Sequence, residues 1–425
     1  MSILVMILLL LVLMVIGVPI AMALMLASLG FVLTNDMPPI IVLANMVNGI
    51  NSFPLIAVPF FILAGNLMNS AGITTRIFNF ARAAVGWLHG GLGHVNVGAS
   101  VIFAGMSGAA VADAGGLGNI EIKAMRDAGY DTDFAVGITA ASSTIGPIIP
   151  PSLPLVIYGV IADTSIGQLF TAGIVPGLLM ALSLMIMVAF YARARHYPRD
   201  QQFSIWRFFS SFLDALLPLL TPVIIIGGIM FGIFTPTEAA IAAVVYSLFL
   251  GVVVYRTLDW RKLLRVSMDT VETTASVMLI VAASMIFAWI LTANQVALQF
   301  SSFMLAITDN GVALILIITL IVLVIGCFME TIAAITILTP VLLPVAVGLG
   351  IDPVHFGIIL ILNLMIGLLT PPVGMVLYVL SKVAKVPFER CVTATLPFLI
   401  PLVAVLLLLT FVPELSMWLP TLLYR

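Results

Sequence analysis

The chain has 425 residues, 62% of them hydrophobic and 8% charged, with a mean hydropathy of +1.27 and a formal net charge of −2. Soluble domains carry about 25% charged residues and hide apolar side chains in cores that stop growing near about 250–300 residues, so water cannot solvate this chain. The composition predicts a polytopic membrane protein, and the slightly acidic balance excludes nucleic-acid binding.

At about 20 apolar residues per helical span, the hydrophobic content sets an upper limit of roughly 13 spans. Long apolar runs favour helices over a barrel, whose strands alternate over about ten residues. The two cysteines, Cys327 and Cys391, make neither a disulfide framework nor a metal cluster. The N-terminus is apolar from Ile3 to Leu33 and lacks a basic leader or an A-x-A-like cleavage site, so it reads as a retained first span.

Further along, GGLGHVNVG (90–98) is glycine-rich, but no P-loop lysine follows it. Residues 104–120, AGMSGAAVADAGGLGNI, are small and hold Asp113 inside an apolar stretch; Gly146-Pro-Ile-Ile-Pro-Pro151 comes next. Arg193, Arg195, Arg199 and Arg207 form one basic stretch, and Arg256, Arg261, Lys262 and Arg265 another. The positive-inside rule puts both on the cytoplasmic face, joined by a two-helix hairpin turning at Thr235-Pro-Thr-Glu238. Residues 326–344, GCFMETIAAITILTPVLLP, hold Glu330 and lead into Gly367-Leu-Leu-Thr-Pro-Pro372.

The two Gly/Pro-rich regions superpose at one constant offset without a gap. Gly105 falls on Gly326, Gly129 on Gly350, Asp131 on Asp352, Gly146 on Gly367, Pro151 on Pro372 and Pro176 on Pro397. These residues dictate backbone shape, which makes the match a structural repeat. The chain is read as one membrane domain over 1–425. It holds a first hairpin and unwound-helix repeat at 90–180, a cytoplasmically anchored connection at 181–265 and a second repeat at 311–401. Paired Gly/Pro-broken segments in two halves are the sequence pointer to a secondary transporter's site near the bilayer midplane.

Proline removes a backbone donor and drives its predecessor out of the helical region, so each double proline predicts an unwound segment. Freed carbonyls are hard oxygen ligands suited to Na⁺. The candidate Na⁺ ligands are Gly105, Gly146, Ile149 and Pro151 in the first repeat, and Gly326, Gly367, Thr370 and Val373 in the second. Asp113 and Glu330 are further candidates, as ionisable groups inside apolar stretches. Their alternative reading is structural, with Asp113 capping a hairpin helix and Glu330 facing a polar cavity. Arg126 is a candidate for an anionic substrate, because its planar fork pairs with carboxylates; the alternative is a loop arginine anchoring topology. Ser107, Ser142, Ser143 and Thr144 are candidate hydrogen-bonders to substrate, and equally ordinary helix-packing residues. The four histidines show no metal-ligand spacing, and no nucleophile–base constellation appears, so an enzyme is not expected.

Six segments carry a family resemblance: PFFILAGNLMNSAGI (59–73), MSGAAVADAGGLGNIEIKAM (106–125), AGYDTDFAVGITAASSTIGPIIPPS (128–152), SIGQLFTAGIVPG (165–177), FGIFTPTEAAIAAVVY (231–246) and GLLTPPVGMVLYV (367–379). With these the chain resembles the large, DctM-type membrane subunit of tripartite ATP-independent periplasmic (TRAP) transporters over essentially its whole length. The resemblance implies an all-α inverted-repeat elevator fold with two re-entrant hairpins, and taking those hairpins off the upper limit of spans leaves about eleven transmembrane helices. It implies Na⁺-driven import, with two or more coupling ions and no organic cofactor, across a bacterial inner membrane. The implied partners are a small DctQ/SiaQ-type membrane subunit of about four helices and a DctP/SiaP-type periplasmic binding protein that delivers an organic acid. Sialic-acid and C4-dicarboxylate members are the nearest in pattern. A proton-coupled or binding-protein-independent organic-anion transporter is the alternative, ahead of a channel. The first hairpin departs from the family's SGS, reading Ser107-Gly108-Ala109, which shifts weight from side-chain hydroxyls to backbone carbonyls.

Overall fold

The computed structural model of the chain describes residues 2–200, 202–308 and 310–424; the side chains of Ser107, Leu305, Ala306 and Ile307 lie outside the described set. Among the described residues there are twenty-one α-helices and no strand, the all-helical polytopic fold that the composition requires. Among the described residues, seven helical segments are long and apolar enough to cross a bilayer, and the other apolar helices are shorter. Large apolar side chains such as Leu4, Phe190, Trp206 and Ile400 are exposed, as a hydrocarbon solvent allows.

The expected first span is two helices. Ile3–Val15 and Ile20–Thr34 turn at Gly17 and Pro19 and pack on each other. A 13-residue helix is about 20 Å long and falls short of a hydrocarbon core of about 30 Å, so the run from Ile3 to Leu33 is a helix pair.

The two stretches that align in sequence carry their helices and breaks in the same order. In the first copy, Gly91–Ser107 reverses into Ala110–Gly115 and Leu117–Asp127; in the second, Gly311–Gly326 reverses into Thr331–Gly348. Next come Thr132–Ser143 and Pro353–Gly367, each followed by an irregular stretch whose double proline is cis, Pro150–Pro151 and Pro371–Pro372. Leu153–Ile161 and Met375–Ala384 resume the helix, and Ile166–Ala194 and Phe388–Phe411 close each copy with Pro176 and Pro397 inside. Gly129 and Gly350 both have positive φ, +83° and +80°, ending one helix just before Asp131 and Asp352 stand at the N-terminus of the next.

The symmetry continues into the flanking helices. Ile40–Ile50 and Ala57–Ser70, broken by a 3₁₀ turn at Phe53–Ile56, correspond to the single 34-residue helix Trp260–Ala293. The Ile20–Thr34 helix packs against Trp260–Ala293, and Pro236–Leu248 packs against Ala57–Ser70, so each half's hairpin lies on the long element of the other half. The predicted turn at Thr235 is a capping box: the Thr235 hydroxyl accepts from the Glu238 amide, and the Glu238 carboxylate accepts from the Thr235 amide.

Polar contacts tie the helix Ile73–Val85 to residues beside both basic stretches. Arg82 pairs with Asp200, Nη2 to Oδ1 at 2.7 Å; Arg76 pairs with Asp214 and also stacks 4.1 Å above the Tyr255 ring. The Tyr197 hydroxyl and the Arg195 guanidinium donate to Asp131 at 2.6 and 2.8 Å, which holds its carboxyl below the usual carboxylate range. Burial and the Asp131 charge push the Tyr197 hydroxyl up to about 12.

Candidate functional site

The first hairpin turns at Gly108, whose φ of +60° suits a residue without a Cβ. A Cβ there would strike the Pro151 carbonyl oxygen and lie 3.3 Å from the Leu153 amide nitrogen, so the tip backbone sits directly on the broken segment. One turn earlier, a Cβ on Gly105 would lie 2.7 Å from the Pro222 side chain and 3.9 Å from the Pro150 carbonyl oxygen. At Gly146 the missing side chain makes room for the Asp113 carboxylate. Gly105 therefore approaches the Pro150–Pro151 segment, Gly146 lies beside Asp113, and Ile149 is buried in the same stretch.

In the second copy the contact is backbone on backbone. A Cβ on Gly367 would lie 2.6 Å from the carbonyl carbon of Gly326 and 2.8 Å from its oxygen. The Val373 amide donates to the Cys327 carbonyl at 3.3 Å, pinning the segment after the double proline to the hairpin turn. Thr370 directs its proton to the Ile366 carbonyl at 2.8 Å, and its hydroxyl also contacts the Cys327 side chain. Gly326, Gly367, Thr370 and Val373 thus surround one turn. The first broken segment is wholly buried, whereas Pro371 and Pro372 are exposed.

The two tips face each other across a cavity of about 180 Å³. Its walls include Gly108 to Val111 from one tip and Glu330 to Ile332 from the other, with Pro147 and Leu368 from the broken segments. A second cavity of about 190 Å³ shares Ala109, Leu153 and Thr273 with the first and adds Asn66, Asn69 and Pro151. Sequence reasoning missed Asn66, Asn69 and Thr273. The available signal was the spacing of the two asparagines, three apart on an apolar helix and so on one face. Asn66 donates to the Thr270 hydroxyl at 3.1 Å, and Asn69 accepts from Thr74 at 3.0 Å, so both amides are oriented from their own side of the cavity.

Of the structural roles offered for the two carboxylates, the capping one falls to Glu330, which also lines the cavity between the tips. Glu330 is the N-cap of Thr331–Gly348, accepting from the amides of Ile332 and Ala333 at 2.8 and 3.2 Å. Asp113 makes no cap and is 2% exposed. Arg126 is not among the residues lining either cavity. It donates from Nη2 to the Ala384 carbonyl at 2.6 Å and from Nε to Thr132 at 3.2 Å, so it caps the C-terminus of Met375–Ala384 and joins the two copies. Ser143 and Thr144 return their hydroxyls to carbonyls within their own turn, at 2.8 and 2.6 Å, while Ser142 donates to Asn96 at 2.7 Å. The Ser107 side chain lies outside the described residues. Among the described residues no three His, Cys, Asp or Glu side chains are grouped as they would be to hold a metal ion.

A family model described as the tripartite ATP-independent periplasmic transporter, DctM component, matches residues 7–415. The chain is 51% identical over 407 residues to the sialic acid TRAP transporter large permease protein SiaM of Vibrio cholerae, covering 96% of this chain and 95% of that protein. It is 44% identical over 408 residues to the sialic acid TRAP transporter permease protein SiaT of Haemophilus influenzae, covering 96% of this chain and 66% of that one. Among solved structures, the YdaH transporter of Alcanivorax borkumensis superposes with a TM-score of 0.68 over 88% of both chains at 14% identity, a likeness of fold. With the paired hairpins and broken helices in place, the chain belongs to the DctM family as a large permease subunit of a TRAP transporter, a multi-pass membrane protein.

Proposed function

We propose that this permease imports a small organic acid of the sialic-acid type across the bacterial inner membrane, driven by Na⁺. The observation that carries the reading is the pair of hairpin tips, each seated on its own Gly/Pro-broken segment, facing each other across one cavity. Carbonyls freed at those breaks supply oxygen ligands without side-chain charge, at Gly105, Gly146, Ile149 and Pro151 and at Gly326, Gly367, Thr370 and Val373. A carboxylate substrate at this depth is costly unless a cation accompanies it, which couples its entry to Na⁺. The neutral amides of Asn66 and Asn69 suit a polyhydroxylated acid better than a bare dicarboxylate, and two sialic-acid permeases among the similar proteins support the same choice. The acid is delivered by a periplasmic binding protein, a small membrane subunit completes the complex, and the two copies' hairpins move as a unit against the flanking helices.

The test is uptake of labelled sialic acid into proteoliposomes holding both membrane subunits, with the binding protein added outside. Accumulation is expected only with inward Na⁺. Accumulation driven by a proton gradient in Na⁺-free buffer would overturn the coupling, and accumulation without the binding protein would overturn the delivery step.

A further inference from the structure

Behind the first hairpin tip lies a closed polar nest. Glu121, on Leu117–Asp127, is 1% exposed and accepts at Oε2 from the Asn96 amide at 2.6 Å. The same amide donates to Thr139 Oγ1 at 2.7 Å, and Ser142 donates to Asn96 Oδ1 at 2.7 Å. Asn96, Thr139 and Ser142 are 0–1% exposed. Glu121 Oε1 is buried with no hydrogen-bond partner. Among the described residues no basic side chain pairs with Glu121, and the charge that acts on it, that of Asp113, has the same sign.

The second copy shows that the fold does not need this polarity. The residues aligned with Asn96, Asp113, Glu121 and Thr139 are Ile317, Ala334, Leu342 and Leu360, and Asn363 stands for Ser142. Ala334, Leu342 and Leu360 are at most 1% exposed, so hydrocarbon packs the equivalent space. Replacing a buried charge with well-packed hydrocarbon is commonly neutral or stabilising, so a carboxylate held here without a counter-charge has no structural justification. The Asn96 amide and the Ser142 hydroxyl already donate within the nest, and the oxygens that remain as acceptors are Glu121 Oε1, Thr139 Oγ1 and Ser142 Oγ.

We propose that Glu121, Thr139 and Ser142, held in place by the Asn96 amide, form a site for one desolvated monovalent cation of the Na⁺ class. An all-oxygen set with one carboxylate matches a hard cation in both charge and softness. The site is separate from the carbonyls at the hairpin tips and exists in the first copy alone. Its occupant neutralises Glu121 and screens the charge of Asp113, which acts on Glu121 and lies against Gly146. The inference does not depend on what the protein transports, and it is tested without substrate.

The experiment is equilibrium binding of ²²Na⁺ to the purified protein, alongside unfolding temperature in NaCl and in choline chloride at equal ionic strength. Glu121→Gln is expected to bind one Na⁺ fewer per chain than the wild type and to lose part of its Na⁺-specific stabilisation. Thr139→Val, which keeps the shape and removes one oxygen, is expected to weaken that ion about tenfold. Thr370→Ala is expected to leave the nest's ion in place, so that adding Glu121→Gln to it removes one more. Wild-type Na⁺ stoichiometry and affinity in both Glu121→Gln and Thr139→Val would overturn the proposal. So would stabilisation reproduced by lowering the pH in choline, which would mean that Glu121 holds a proton.

Discussion

Gly367→Ala tests the backbone contact on which the second site rests. The added methyl would sit 2.6 Å from the Gly326 carbonyl carbon, 2.7 Å from its Cα and 2.8 Å from its oxygen. Real Cβ atoms do not approach backbone this closely, and no flexible side chain can yield, so either the hairpin turn or the broken segment must move. Overpacking of this kind costs about 1–3 kcal/mol. If the displacement falls on the carbonyls proposed to hold Na⁺, the Na⁺ concentration for half-maximal uptake is expected to rise about 5- to 150-fold, at 1.4 kcal/mol per tenfold. Gly326→Ala serves as a graded comparison, because its methyl would meet Leu364 Cδ2 at 3.2 Å and the Gly367 Cα at 3.4 Å, gaps that small shifts absorb. Gly227→Ala is the control: it has nothing within 4 Å and lies in the interior of Ile205–Met230, where alanine favours the helix by up to about 1 kcal/mol. The assay is Na⁺-dependent uptake in proteoliposomes, with unfolding temperature measured on the same preparations. Wild-type Na⁺ dependence in Gly367→Ala would refute the assignment of this turn to ion binding.

Asn66→Ala and Asn69→Ala should raise the substrate concentration for half-maximal uptake at least tenfold while leaving the Na⁺ dependence in place; uptake kinetics at saturating Na⁺ that match the wild type would remove both amides from the substrate site. Glu330→Ala removes a helix cap and should destabilise the protein by about 0.5–2 kcal/mol in denaturation, with Glu330→Asp recovering most of the loss. Arg126→Ala should lower the unfolding temperature, because a charge-assisted hydrogen bond contributes about 1.5–3 kcal/mol and here it ties the end of Met375–Ala384 to the first copy. Unchanged stability with uptake abolished would return Arg126 to the substrate.

The repeat was legible because Gly and Pro act on their own backbone, wherever they stand in the fold. Gly129 and Gly350, or the prolines at 150–151 and 371–372, announce a turn or a break from the residue alone. The same reasoning put the candidate ligands on the stretches that do approach the hairpin tips. What sequence could not supply was partnership across distance. Arg126 carries no sign that its guanidinium meets Ala384, 258 residues away. Asn66 and Asn69 belong to a helix outside the repeated hairpins, and only packing brings them to the tips. Asp113 and Glu330 look alike in an apolar context. Which of them caps a helix depends on where the second hairpin restarts, and Thr331 begins that helix one residue after Glu330. The N-terminal run misled for a related reason. Continuous hydropathy conceals a turn, and Gly17 and Pro19 were the weaker signal beside the apolar run from Ile3 to Leu33.

The reciprocal packing of the halves sets a timetable for assembly. Ile20–Thr34 rests on Trp260–Ala293, a partner that begins 240 residues later in the chain. At about 5–20 residues per second of synthesis, the N-terminal pair waits roughly 12–50 s in the bilayer before its neighbour exists. During that interval lipid, or another chain, must cover the face that Trp260–Ala293 later takes. The long helix thus works as a late clasp, and damage to it would strand the earliest-made part of the protein as well as its own half.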